Sequence, residues 1–159
     1  MKKIFLVFFI LSVLNGCTIR IVEVPPRAYS LESAVKIVQG KYVLVHTDIF
    51  DNYEGIDARG TVAIYRDNKG QMFLFYGFKR FDGSSKSLWK TIVKKYGVWN
   101  FGIYIDLPSF GYYSTKKGGK TITAWWKDVW LFVVESSENS KDFVKDVMNA
   151  FAEVGGVLR

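Results

Sequence analysis

Cysteine and histidine are almost absent from this chain, and each scarcity excludes a class of structure or chemistry. Cys17 is the only cysteine in 159 residues, so no disulfide can form within the chain. His46 is the only histidine, so a Ser-His-Asp or Cys-His catalytic arrangement would have to use it. No Gly-x-Ser-x-Gly turn is present to hold a nucleophile. We therefore expect a non-catalytic protein without a cofactor.

Long hydrophobic runs are also scarce, and the main one lies at the start of the chain. Lys2 and Lys3 precede an apolar run over residues 4–14. The run is too short to span a bilayer comfortably, because a spanning helix needs about 20 apolar residues. A basic start followed by a short apolar run is typical of a secretory signal peptide.

The end of this run carries a more specific pattern, Leu14-Asn15-Gly16-Cys17. It resembles the lipobox of bacterial lipoprotein precursors, in which an aliphatic residue and two small residues precede a cysteine. The resemblance implies cleavage before Cys17 and a diacylglycerol on its thiol, often with acylation of the new amino group. The implied location is extracytoplasmic at a membrane: the outer membrane of a two-membrane cell, otherwise the outer face of the cell membrane.

Composition predicts one domain with a mildly basic surface. The sequence predicts a signal peptide over 1–16, a lipidated cysteine and tether over 17–29, and a single domain over 30–159. Pro25 and Pro26 disfavour regular structure in the tether. Removing Lys2 and Lys3 lowers the formal charge of +7 by two. A basic excess outside the cytoplasm favours anionic headgroups or an acidic envelope protein as partners, and export argues against nucleic acid.

Hydrophobic periodicity predicts an α+β domain with an antiparallel sheet of five to seven strands. Helices are expected from Leu31 to Gly40, from Ser85 to Gly97, and from a cap at Asn139 to Gly155. Strands are expected over 41–49, 61–66, 71–79, 98–105 and 110–115, with a polar loop over 48–60. The clearest hairpin spans 120–135 and is apolar on both faces, so it should lie centrally with cover on each side.

This element order resembles the PsbP-like fold, in which helices flank an antiparallel sheet. The best-matching part is the tryptophan-rich hairpin and the helix after it, over residues 121–151. Small lipoproteins, an extrinsic photosystem subunit and a Ran-GTPase-binding import factor share that architecture. The resemblance implies a binding or assembly role, and by fold analogy alone a GTPase-regulator-like domain is an alternative.

Aromatic and basic residues supply the candidate contact surfaces. Trp125, Trp126 and Trp130 could form an aromatic partner or ligand surface if three helices leave part of the hairpin uncovered. Two groups of lysines are candidate contacts for anionic headgroups. They are Lys116, Lys117 and Lys120 in a basic turn, and Lys86, Lys90 and Lys94 along one helix face.

Two further patterns indicate alternative chemistry. Five oxygen-bearing residues follow His46 and could serve a metal-dependent enzyme or envelope hydrolase, although their spacing does not fit an EF-hand. They are Asp48, Asp51, Asn52, Glu54 and Asp57. Residues 114–121 resemble the end of a phosphate-binding P-loop, but Ser114 replaces its first glycine and the sequence that follows is typical of a strand rather than a helix. We therefore expect no metal site and no nucleotide site.

Overall fold

One antiparallel sheet and the helices on its two faces make up the part of the chain that the structure describes. The structure is a computed structural model that describes residues 22–97 and 102–157. Its helices are α1 (Leu31–Val35), α2 (Ser85–Tyr96) and α3 (Lys141–Val157). Its strands are β1 (Tyr42–Tyr53), β2 (Ile56–Asp67), β3 (Met72–Lys79), β4 (Ile103–Asp106), β5 (Phe110–Lys117), β6 (Lys120–Lys127) and β7 (Trp130–Ser136). The seven strands lie in the order β1-β2-β3-β7-β6-β5-β4, which confirms the predicted α+β class.

The β6–β7 hairpin lies in the middle of the sheet, as its sequence predicts. Every residue of β7 is buried, and β6 is buried except at its two ends. Trp125 lies opposite Phe132, and Trp126 lies opposite Leu131. The first pair belongs to one hydrophobic core and the second pair to the other. The predicted alternation of two apolar faces is therefore confirmed.

Helices cover both faces of this centre. On the first face, Val35 of α1 and Phe143 and Phe151 of α3 pack into the core that contains Trp125 and Phe132. On the second face, Trp89 and Ile92 of α2 pack into the core that contains Trp126. We call these the α1/α3 face and the α2 face. Both helical stripes follow from apolar residues at three- and four-residue spacing.

The β1–β2 hairpin departs from the prediction, because residues 48–60 form strands instead of a loop. The two strands turn at Glu54 and Gly55, both of which have positive φ angles, 52° and 87°. Tyr53 and Ala58, near the tip of the hairpin, are buried in the core of the α2 face. The outer half of the hairpin therefore folds over the sheet and covers this face beside α2.

A close backbone contact marks the place where this hairpin folds over. A Cβ atom on Gly60 would lie 2.6 Å from Gly77 O and 2.6 Å from Phe50 Cζ. Glycine is the residue that permits such an approach of two neighbouring chains. The polar composition of residues 51–60 concealed the strand, since tertiary packing overrides weak strand propensity.

Several element boundaries also differ from the predictions. Helix α1 ends at Val35 and does not extend to Gly40, whereas α3 continues through Gly155 and Gly156. Asn139 Oδ1 accepts from the N–H of Lys141, which is the first residue of α3. Asn139 therefore lies one position before the residue that would cap a helix beginning at Lys141. Strand β4 begins at Ile103, and residues 98–101 of the predicted strand lie outside the described residues.

The beginning of the described chain packs against the sheet. Val22 is 1% exposed and belongs to the core of the α1/α3 face. Pro25 is also buried. Residues 22–29 belong to the segment predicted as a tether leading away from the membrane, and Val22 and Pro25 of this segment pack against the domain. The apolar side chains at Val22 and Val24 explain the packing.

Candidate binding surfaces

The three tryptophans predicted as an aromatic surface are buried. Trp125 and Trp130 are 0% exposed, and Trp126 is 6% exposed. The expectation of an exposed aromatic surface at these residues is therefore wrong. Trp125 and Trp130 belong to the core of the α1/α3 face, into which Val22 from the start of the described chain also packs. Trp126 belongs to the core of the α2 face, where Trp89 of α2 packs. A count of three helices leaves out the packing of Val22.

The six candidate lysines do not form one surface. Lys116, Lys117 and Lys120 surround the β5–β6 turn, and Lys86 begins α2 beside the opposite end of the sheet. Strand β6 separates the two ends by about 24 Å at roughly 3.4 Å per residue. Lys94 is exposed in the last turn of α2, where the adjacent Lys95 O accepts from Lys117 Nζ at 3.0 Å.

Two of the helix lysines already have an acidic partner. Lys86 Nζ lies 3.0 Å from Asp106 Oδ1, and Lys90 Nζ lies 3.2 Å from Asp106 Oδ2. Although partial burial alone would raise the pKa of Asp106, its bonds to these lysines hold that pKa below the ordinary value. The negative carboxylate offsets much of the positive field that a headgroup would meet at Lys86 and Lys90.

His46 and the acidic residues that follow it do not assemble into a reaction centre. His46, Asp48 and Asp51 are exposed along β1, and Glu54 lies at the hairpin turn. Among residues 22–97 and 102–157, no group of three or more His, Cys, Asp or Glu side chains could hold a metal ion. The hairpin geometry spreads these carboxylates along a strand instead of turning them toward one point.

The P-loop-like segment forms a β-hairpin. Gly118 and Gly119 occupy its turn with φ angles of 58° and 76°, and β6 follows at Lys120. Lys120 lies 3.5 Å from Glu135 Oε2, and Lys117 Nζ donates to Lys95 O at 3.0 Å. Because no helix N-terminus follows, the segment lacks the backbone cradle of a phosphate site.

Strand β1, at one edge of the sheet, exposes four large apolar side chains. Val43, Leu44, Val45 and Ile49 are 57%, 39%, 51% and 61% exposed. Within the described part of the chain, β1 pairs with β2 alone, so its outer backbone groups have no strand partner. The sequence predicted a strand here but did not predict that it would lie at an edge.

A buried polar cluster fixes the folded-over hairpin from beneath. Glu135 on β7 is 2% exposed, and its Oε1 accepts from Tyr53 Oη at 2.7 Å and from Tyr96 Oη at 3.3 Å. Burial and the neighbouring carboxylate raise the pKa of Tyr53 above its ordinary value. Tyr53 therefore stays protonated and donates, and the cluster joins β1, α2 and β7.

A shallow groove beside α3 completes the set of candidate surfaces. It has a volume of about 540 Å³ and lies between the α1–β1 connection and α3. Asp146 lies within it, 2.6 Å from Lys41 Nζ, and accepts a hydrogen bond from Tyr42 Oη at 2.9 Å. The Asp146 carboxylate in this groove is therefore already bound by Lys41 and Tyr42.

The predicted membrane anchor lies outside the described residues. Cys17 precedes the first described residue, and so do the predicted signal peptide and its cleavage position. Over the described residues, no helix is long and apolar enough to cross a membrane.

Fold and surfaces together define an α+β domain with exposed apolar side chains on an edge strand. Residues 26–154 match the family described as "Protein of unknown function (DUF3242)". Because the match spans most of the chain, the protein belongs to this family.

One solved structure is similar over most of its length. It is a GTP binding regulator (TM1622) from Thermotoga maritima, with 33% sequence identity and a TM-score of 0.72. The similarity covers 81% of this chain and 92% of that one. No curated protein gives a significant match.

Proposed function

We propose that this protein is a non-catalytic binding domain, anchored to a membrane outside the cytoplasm, that captures a protein partner along the outer edge of β1. The observation that carries the proposal is the run of exposed apolar residues on a strand with an unpaired outer side. An edge strand of this kind can add an extended segment of another protein by main-chain hydrogen bonds.

The side chains of β1 favour such a partner over solvent. Exposed edges in proteins are commonly protected by lysine or proline, and β1 contains neither. Val43, Val45 and Ile49 instead offer apolar contacts, while Asp48 and Asp51 give the edge a negative charge. We therefore expect an extended partner segment with apolar residues and at least one basic residue.

Membrane anchoring belongs to the same proposal and has its own test. The pattern Leu14-Asn15-Gly16-Cys17 supports lipidation at Cys17, and acyl chains on one cysteine would hold the domain at a bilayer. A separate part of the proposal is that the domain has a PsbP-like fold, which the antiparallel sheet with helices on both faces supports. Cys17→Ser should move the protein from the membrane fraction to the soluble fraction. A variant that stays membrane-bound would contradict lipidation.

The partner-binding surface is tested by crosslinking in cells. A photoreactive residue at Ile49 should capture one stoichiometric envelope protein. Val45→Lys should abolish the capture, because a charge on the edge opposes strand addition. Ile103→Lys is the matched control, since Ile103 is 50% exposed on β4 at the opposite edge and should leave capture unchanged. Equal capture by Val45→Lys would refute the proposed surface.

A second function follows from the solved neighbour. Its description as a GTP binding regulator supports a role for this domain in regulating a GTP-binding protein or in binding GTP itself. The hairpin geometry at Lys117 and Lys120 favours the first over the second. Equilibrium dialysis with GTP should show no binding by the purified chain. Saturable binding weakened by Lys120→Ala would favour a nucleotide site instead.

A further inference from the structure

The most exposed large apolar side chain lies near the place where the chain enters the domain. Phe81 is 70% exposed and follows β3 in the connection to α2. The Arg80 N–H donates to Val129 O at 2.7 Å, which fixes this connection to the β6–β7 turn. Phe81 is therefore held in place by the backbone beside it and still faces solvent.

A second exposed apolar side chain lies at the same end of the sheet. Leu107 is 40% exposed in the β4–β5 turn, and its N–H donates to Phe110 O. Phe110 pairs with Lys127, the last residue of β6 before the β6–β7 turn. The two connections that carry Phe81 and Leu107 thus meet at the end of the sheet that contains this turn.

The first described residues run around this same end. Val22 O accepts from Lys127 Nζ at 3.0 Å, and Arg27 pairs with Asp128. Lys79 Nζ donates to Arg27 O at 2.6 Å and lies 4.9 Å from the Phe81 ring centroid. We call the end marked by Val22, Phe81, Leu107 and the β6–β7 turn the anchor-side end.

The position of Cys17 gives this end a defined neighbour. Cys17 is five residues before Val22, and five residues span at most about 18 Å when fully extended. A lipid on Cys17 would therefore keep the anchor-side end close to the headgroups. This step rests on the anchoring in the proposed function.

We propose that Phe81 and Leu107 at the anchor-side end dock into the interfacial region of the phospholipid bilayer that holds the lipidated Cys17. Aromatic and aliphatic side chains are stabilised in the interfacial region of the bilayer, because their apolar surface is removed from water there. The dock fixes the orientation of the domain, so that the β5–β6 turn points away from the bilayer.

The anchor-side end carries charges of both signs. We therefore expect its contact with the bilayer to depend mainly on the apolar side chains. Arg27 pairs with Asp128, and Lys86 Nζ lies 3.0 Å from Asp106 Oδ1. Lys79 and Lys127 at this end donate to backbone carbonyls, so a modest positive excess remains beside the two ion pairs and adds to the apolar contact on anionic lipid. Docking is expected on zwitterionic and anionic bilayers alike, whereas a contact through free lysines would require anionic lipid and weaken in salt.

The test uses the full lipidated protein in vesicles. Because Cys17 is the only cysteine and its thiol carries the lipid, a cysteine introduced elsewhere can be labelled alone. Phe81→Cys and Leu107→Cys each receive an environment-sensitive nitrobenzoxadiazole label. Met72→Cys is the matched control, because Met72 is 36% exposed and begins β3 at the opposite end of the sheet.

Vesicles of phosphatidylcholine alone, and of phosphatidylcholine with phosphatidylglycerol, are compared with and without brominated acyl chains. We expect a blue shift and bromine quenching for labels at positions 81 and 107 in both vesicles, and neither at position 72. Flotation separates the possible failures. A protein that floats while its labels at 81 and 107 stay in water overturns the dock alone. A protein that does not float overturns the proposed anchoring, and with it the proposed contact of Phe81 and Leu107 with the bilayer.

Discussion

The β6–β7 and β1–β2 hairpins have similar strand-turn-strand architecture but different environments. The β6–β7 hairpin has a strand on each side and a core on each face. The β1–β2 hairpin lies at the edge of the sheet. Val45, far from its turn, is exposed, whereas Tyr53, next to its turn, is buried. Position in the sheet, and not the hairpin itself, decides which residues are available for binding.

The different environments of the two hairpins give them different roles in stability and in binding. The central hairpin contributes buried aromatic residues to both cores and should therefore determine global stability. The edge hairpin combines a buried tip with an exposed strand, so it can bind a partner while the core stays intact. Substitutions in the two hairpins should therefore separate stability from binding.

The largest effect is expected from Phe132→Ala in the central hairpin. Phe132 is 0% exposed and contacts Trp125, Trp130 and Phe151 at ring-centroid distances of 5.5, 5.6 and 4.9 Å. Its truncation removes buried area and leaves a cavity, which should lower the free energy of unfolding by about 3–5 kcal/mol. Ile49→Ala on the exposed edge should change it by less than about 0.5 kcal/mol. Urea denaturation measures both, and similar losses in the two variants would contradict the contrast.

An intermediate effect is expected where the edge hairpin folds over. In Gly60→Ala the new Cβ would meet the backbone oxygen of Gly77, which cannot move as a side chain can. We expect a loss of about 1–3 kcal/mol in the free energy of unfolding. Gly155→Ala is the control, because Gly155 lies in α3 with no atom within 4 Å of an added Cβ. The control should gain up to about 1 kcal/mol, and an equal gain at Gly60 would argue against the close approach.

The same contrast explains what the sequence could predict. The central hairpin was predicted because both of its faces are apolar and only burial on two sides satisfies them. The edge hairpin was missed because Asp51, Asn52 and Gly55 are residues typical of a loop. Tyr53 and Ala58 pack into one core with residues that are distant in the sequence, which a local pattern does not show. The exposed edge was missed for the same reason, since strand order is a property of the whole sheet.

The smallest effect is expected from Tyr53→Phe, which tests the polar contact under the edge hairpin. The change removes the hydroxyl that donates to the buried Glu135 carboxylate, while Tyr96 Oη remains within 3.3 Å. We expect a loss of about 1–2 kcal/mol in the free energy of unfolding, near the low end for a bond to a buried charged group. Tyr104→Phe is the control, because Tyr104 is 42% exposed, and its effect should be within about 0.5 kcal/mol.

The pH dependence of Tyr53→Phe distinguishes this bond from simple packing. The pKa of Tyr53 is raised in the folded protein by burial and by Glu135, whereas an unfolded tyrosine ionises near pH 10. The stabilisation from Tyr53 is thus fully present below about pH 10 and is lost as the pH rises above it. The difference between wild type and Tyr53→Phe should narrow at alkaline pH. A constant difference would mean that the hydroxyl contributes only by its size, and that apolar packing alone holds the tip of the edge hairpin on the α2 face.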